Sequence, residues 1–345
     1  MRILVLCTDA FGGHGGIALY MRDLVTAIAA DERCEEVVVV PRIVSRPFDA
    51  LPQKVTFRAE SARGAASYVR TVARLRRERF DLVICGHLNL LPFARALASH
   101  PLVFIYGIEA WQPVRRAMPF LQSCGGVVSI SEITLHRFRD WSSFRCPSHL
   151  LPNAIHLDDY RVVPKPREER RVLMTLGRLA GRERYKGFDE VLDVLPSLPH
   201  DIVYIIAGDG EDAPRLRRKA KDLRVSDRVI FTGFVREEEK AALYASADAY
   251  VMPSRGEGFG FVLLEAMACG IPTIGSKHDG GREALRDGLL GTLVDPTNPA
   301  EIRAAVIDAL EIGERARPEG LDYFAFDRFV ERTRAIIDEV MRDQQ

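Results

Sequence analysis

No stretch of the 345 residues approaches the roughly 18 to 20 consecutive apolar positions that a membrane-spanning helix needs, so any bilayer contact is expected to be peripheral. Neither sign of charge is in excess: Lys+Arg and Asp+Glu both total 48. No global field then favours nucleic acid, which is not an expected partner, and an anion site has to be built locally. The six cysteines (Cys7, Cys34, Cys85, Cys124, Cys146 and Cys269) include no C-x-x-C pair and do not cluster with histidine. They read as reduced, mostly buried thiols, which fits a cytoplasmic protein without a metal centre. The opening run MRILVLC is too short for the apolar region of a signal peptide and lacks a small-residue cleavage site, so it reads as a first strand.

What is present describes a folded two-domain protein. Hydrophobic residues make up 47% and charged residues 28%, and the length exceeds what one core usually serves. Short apolar runs at 3–6, 37–40, 82–84, 103–105 and 127–130 alternate with helix-length segments, the pattern of a parallel α/β sheet. A second series runs through 171–176, 203–206, 229–231, 249–252 and 272–275. Between them RVVPKPREER (161–170) is charged, Pro-interrupted and without periodicity, which places a domain boundary near residue 168. The expected layout is a Rossmann-like domain over 1–168, a second over 169–326, and a helix over 327–345 that packs on one of the domains or crosses back to the first. Phe329, Thr333, Ile336, Ile337 and Val340 stand at helical spacing in that last segment.

The most specific motif is RGEGFGFVLLEAMACGIPTI (255–274), in which seven residues separate Glu257 from Glu265 across a Gly-rich turn leading into a helix. Gly258 and Gly260 allow backbone to approach a ligand beside Phe259, and the helix start offers unpaired N–H groups to a phosphate. The bland reading of both acids is that they sit on solvated turns. A second motif, GRLAGRERYKGFDEVL (177–192), follows the first strand of the second series and carries Arg178 and Lys186 where a strand end can meet phosphate.

Together these motifs resemble glycosyltransferase family 4, with its E-x7-E element. The resemblance implies the GT-B fold, two Rossmann-like domains with parallel sheets facing across a cleft. It assigns Glu257 to the donor sugar, Glu265 to the ribose, and Arg178 and Lys186 to the diphosphate. Gly208 in GDGED (208–212) and Val235 in TGFVREEE (232–239) follow second-domain strands where the nucleobase and ribose would lie. In the first domain the resemblance makes the loop at Gly15 and Gly16 a cover for the donor phosphates. It gives His87, just beyond the strand at 82–84, contact with the reacting sugar, and leaves Glu109 as an acceptor-side carboxylate. The segment YGIEAW departs from the family's HG-x-E by carrying Tyr106 in place of His. No Asp-x-Asp pair occurs, which argues against a metal-chelated donor, and no cofactor is expected.

The function implied is retaining transfer of a hexose from GDP-mannose or a UDP-hexose to a hydroxyl of a glycan or lipid-linked acceptor. Three alternatives stand beside it. Gly13, Gly15 and Ala18 satisfy G-x-G-x-x-A, which a nicotinamide-dependent oxidoreductase would use, although the second strand ends in Pro41 and Arg42 and not in the acid that motif needs. A nucleotide-sugar epimerase and a binding protein without turnover would share the cleft. The segment at 66–80 places Tyr68, Val69, Val72 and Leu75 on one helical face with arginines around it, readable as a helix covering the sheet or as a dock for an anionic leaflet.

Overall fold

The computed structural model describes residues 1–13, 15–47, 50–165 and 169–343. The chain divides into two compact units, one of residues 1–154 with 326–345 and one of residues 155–325. The division falls ahead of the expected boundary at Glu168, which itself lies outside the described residues.

In the first unit, seven strands form one parallel sheet: β1 (Arg2–Cys7), β2 (Glu36–Pro41), β3 (Val55–Phe57), β4 (Leu82–Cys85), β5 (Leu102–Ile105), β6 (Gly126–Ser129) and β7 (Ser148–Leu150). Their order is β3-β2-β1-β4-β5-β6-β7. Helices cover both faces, so the inner strands are apolar along most of their length, and Ile3 to Cys7 and Val37 to Val40 are wholly buried. The chain reverses its winding between β1 and β4, and in sheets of this kind ligands bind beyond the carboxyl ends of the strands at that point. The helix Phe326–Asp343 packs on the helix Gly16–Ala29 within this unit. It buries Phe329, Thr333, Ile336, Ile337 and Val340, with the Phe329 ring edge-on to Tyr20 at 5.5 Å.

The helix that starts at Ala65 is shorter than the sequence pattern suggests and ends at Leu75. Tyr68, Thr71, Val72 and Leu75 are buried, whereas Val69 is half exposed and does not share their face.

The second unit has six parallel strands: β8 (Arg171–Leu176), β9 (Ile202–Ala207), β10 (Val229–Gly233), β11 (Ala249–Met252), β12 (Thr273–Ser276) and β13 (Thr292–Val294). The order β10-β9-β8-β11-β12-β13 sets the winding reversal between β8 and β11. The first and last residues of this unit lie side by side: Ile155 and Ala325 form a parallel bridge, and the Ile155 N–H donates to Phe324 O at 2.8 Å. Among the described residues no helix is long and apolar enough to cross a membrane.

Candidate functional site

The carboxyl ends of β8 and β11 bring together residues far apart in sequence. Lys186 Nζ donates to Glu257 Oε2 at 2.9 Å, and both side chains are mostly buried. Burial by itself lowers the Lys186 ammonium, but the Glu257 carboxylate outweighs it and holds the ammonium well above its usual value. Lys186 reaches Glu257 by lying over Gly177, where an added Cβ would come 3.1 Å from Lys186 Cδ. Gly187 makes the turn after it at φ 88°, against Pro253 at the end of β11. Arg178 shares this strand end but is open to solvent, 59% exposed, with Nε 3.1 Å from Glu183 Oε1. It is therefore an exposed cation beside a buried ion pair.

Glu257 is held in place by Asp279, which the sequence analysis did not single out. Asp279 Oδ2 accepts from Ser254 Oγ at 2.6 Å and from the Glu257 N–H at 2.8 Å, while Oδ1 accepts from the Gly281 N–H at 3.0 Å. A further bond runs from the Gly280 N–H to Glu257 O at 2.9 Å, an approach only glycine allows, since a Cβ on Gly280 would fall 2.1 Å from Gly258 O. Asp279 is 2% exposed, and burial pushes its carboxyl up to about 6 against the three donors, which pull the other way. The H-D-G-G run at 278–281 is the one sequence signal that could have found it.

The remaining donor-side candidates divide. Gly260 caps the helix Phe261–Ala268 in the left-handed region at φ 94°, with no side chain satisfying the first N–H groups, so they remain available to an anion. Gly258 donates its N–H to Glu257 Oε1 at 3.2 Å. The Phe259 side chain is in the core, edge-on to Phe324 at 5.5 Å, leaving its backbone as what it can offer a ligand. Gly208 seats against β8: at φ 126° its Cβ position is 2.0 Å from Gly177 O, and its N–H donates to Gly233 O at 3.0 Å. This brings the loop carrying Val235, itself partly exposed, beside the Gly208 loop. Glu265 has partners of its own, separate from the Lys186–Glu257 pair. Fully buried, it accepts from Lys240 Nζ at 2.9 Å and Tyr244 OH at 2.7 Å; burial raises its carboxyl, and Lys240, the partly exposed member of the pair, opposes that.

In the first unit the reversal between β1 and β4 carries the other candidates. Gly15 begins the helix Gly16–Ala29 at φ 93°, where no side chain caps the N–H groups, and open space surrounds both Gly15 and Gly16. Gly13 is packed on the Asp9 side chain, and Ala18 is buried. His87 follows β4. Its Nδ1 accepts from the Asn89 N–H at 3.1 Å, so the neutral ring carries its proton on Nε2, and burial lowers its basicity. His87 lines a cavity of about 450 Å³ with Arg42, Tyr68, Val69, Phe93 and Arg116. Glu109 instead turns onto its own loop, where Oε1 accepts from the N–H groups of Tyr106 and Gly107, the latter at 3.1 Å, and burial raises its carboxyl. Tyr106 is a core residue, its hydroxyl donating to Gly86 O at 3.0 Å.

Among the described residues no group of three or more His, Cys, Asp or Glu is arranged to hold a metal ion.

Residues 158–319 match the family model described as Glycosyl transferases group 1. The chain is 32% identical over 270 residues, 70% of each chain, to the GDP-mannose-dependent alpha-(1-6)-phosphatidylinositol monomannoside mannosyltransferase of Mycolicibacterium smegmatis. It is 31% identical to the phosphatidyl-myo-inositol mannosyltransferase of Mycobacterium leprae, over 90% of this chain and 86% of that one. Among solved structures, the lipopolysaccharide outer core galactosyltransferase WaaB superposes with a TM-score of 0.77 at 20% identity, over 98% of this chain and 99% of its own. Anabaena HepE in complex with UDP and glucose does so with a TM-score of 0.77 at 19% identity, over 98% and 100%. Those likenesses establish the GT-B fold.

Proposed function

The chain belongs to the group 1 glycosyl transferases, and we propose that within this family of nucleotide-sugar-dependent enzymes it moves mannose from GDP-mannose to a hydroxyl of a glycan or lipid-linked acceptor. Membership sets aside the oxidoreductase, epimerase and non-catalytic readings. The observation that carries the proposal is the Lys186–Glu257 pair at the reversal between β8 and β11, beside the uncapped start of the helix Phe261–Ala268. The choice of GDP-mannose rests on the relatives named for that donor. Their names specify an α linkage, and the mannose of the donor is itself α-linked to diphosphate, so an α product corresponds to retention.

In this reading catalysis consists of positioning and charge. Arg178, Lys186 and the free amides after Gly260 hold the diphosphate as it departs with its extra negative charge. Glu257 accepts hydroxyl donors of the sugar, and its ion pair with Lys186 links sugar and diphosphate recognition. Lys240 with Glu265 faces the ribose, and the Gly208 and Val235 loops flank the base. The acceptor binds in the first unit near His87, whose Nε2–H is available to the sugar. Side chains and amides meet the diphosphate's charge without a metal ion. The exposed Arg70 and Arg74 with half-exposed Val69 form a peripheral contact with an anionic leaflet, which cosedimentation with phosphatidylglycerol vesicles at low salt checks.

Titration calorimetry with GDP and UDP, in EDTA and in Mg²⁺, tests the donor site on wild type, Arg178→Ala and Glu265→Gln. Micromolar GDP binding in EDTA that weakens at least about tenfold in both variants is expected. Preference for UDP would overturn the mannose assignment, dependence on Mg²⁺ the metal-free mechanism, and failure of both diphosphates the site itself.

A further inference from the structure

From the cavity in the first unit we infer that the acceptor carries an anionic group, a phosphate or a carboxylate, held by Arg42 and Arg116; this rests on the reading of that unit as the acceptor side. The charges on the cavity wall point to an anion. Arg42, immediately after β2, and Arg116 both line it, and among the described residues neither meets a carboxylate within 4.0 Å. Two cations at one cavity repel each other and gain from a shared counter-charge. Tyr68, 1% exposed, keeps its ring on the cavity beneath Arg42, whose guanidinium stands 5.8 Å from the ring centroid, while the buried hydroxyl lies away from the cavity surface.

The rest of the wall says what else the acceptor is. Val69 and Phe93 supply an apolar side, with the Phe93 ring edge-on to Tyr68 at 5.2 Å, and His87 supplies one donor. A volume of about 450 Å³ is in the range of small-molecule sites. The shape and chemistry fit a sugar-sized polyol whose ring lies on the apolar side and whose anionic substituent points at the arginines. The anion could be a lipid headgroup phosphodiester or a free phosphomonoester, and both present the same oxygens.

The test is calorimetric titration of the full chain, saturated with GDP, with four probes: mannose 6-phosphate, monomeric dihexanoyl phosphatidylinositol, mannose, and octyl mannoside. Binding of one or both anionic probes at least about tenfold tighter than the neutral ones is expected, and which of the two binds identifies the source of the anion. Arg42→Gln and Arg116→Gln should each weaken that binding about tenfold while leaving GDP affinity within twofold. Equal binding of neutral and anionic probes, no binding of either anionic probe, or variants that bind the anion as wild type does would each overturn the inference. GDP binding is read in the same samples, so failure of the donor site is seen separately from failure of this cavity.

Discussion

Replacing Asp279 by Asn sets stability against positioning. At neutral pH the Asp279 carboxylate accepts three hydrogen bonds while buried, and its carboxyl stands at about 6, raised by burial from 3.8. The folded-state value lies above the unfolded one, so between them the folded protein binds more protons, and stability falls as pH rises from about 4 to about 6. At about 1.36 kcal/mol per pH unit, holding the ionised form costs about 3 kcal/mol at pH 7. Asn escapes that cost but keeps one acceptor and presents an NH2 group. In one orientation it opposes Ser254 Oγ and the Glu257 N–H, in the other the Gly281 N–H, so at least one buried donor is orphaned at about 1–3 kcal/mol. The two effects nearly cancel, and the melting temperature at pH 7 should move by no more than about 4 °C. Catalysis has no such compensation. A Glu257 loosened by a fraction of an ångström should lose about 10- to 100-fold in kcat/KM. Fluorimetric melting from pH 4 to 8, with transfer or donor hydrolysis measured on the same samples, gives both readouts. Wild type should lose stability between pH 4 and 6 and the Asn variant should not. A variant with normal kcat/KM, or a wild type with no such slope, would refute the reasoning.

Arg178→Ala removes an exposed cation that meets the departing diphosphate, so kcat should fall about 100-fold or more with the melting temperature unchanged within about 2 °C; steady-state kinetics and melting check it. Glu257→Gln should lower kcat at least about tenfold yet leave GDP affinity, read by calorimetry, within about threefold, because GDP lacks the sugar. Gly208→Ala drives a Cβ to 2.0 Å from Gly177 O at φ 126°, and should cost about 2 kcal/mol or more, a fall of at least about 4 °C in melting temperature. Below the depressed range of His87, protonation places a second N–H where Nδ1 now accepts from Asn89, so affinity for octyl mannoside, which has no charge for the imidazolium to attract, should fall on acidification in wild type and less so in His87→Gln, measured by calorimetry.

Much of this was legible in one dimension because parallel strands covered on both faces are apolar at most positions. β8 and β11 are such runs, and their limits in the sequence and in the structure coincide. The strands that went unread, β3, β7 and β13, are three-residue edge strands with partly exposed side chains, so they leave neither a continuous run nor an alternation long enough to see. The site shows the same division. Glu257 and Lys186 carry their meaning in local spacing. Asp279 acquires its role by folding, since β12 intervenes between it and the loop it holds, and only the close pass of Gly280 marks the contact. Arg42, Tyr68 and Arg116 come from three separate stretches of the chain and share no motif. Val69 was placed on the buried face because helical spacing gives neighbours on a cylinder but not where the sheet beneath it ends.

The bridge between Ile155 and Ala325 also bears on the order in which the molecule assembles. During synthesis the first unit waits for the helix Phe326–Asp343, without which the helix Gly16–Ala29 leaves part of its apolar surface uncovered. Reaching that helix through an unfolded insertion of residues 155–325 would mean closing a very long loop, whereas a folded insertion delivers residue 326 next to residue 154. Loop-closure entropy makes the difference about 3 kcal/mol. The inserted unit thus acts as a splint, and the N-terminal half of the chain is completed last.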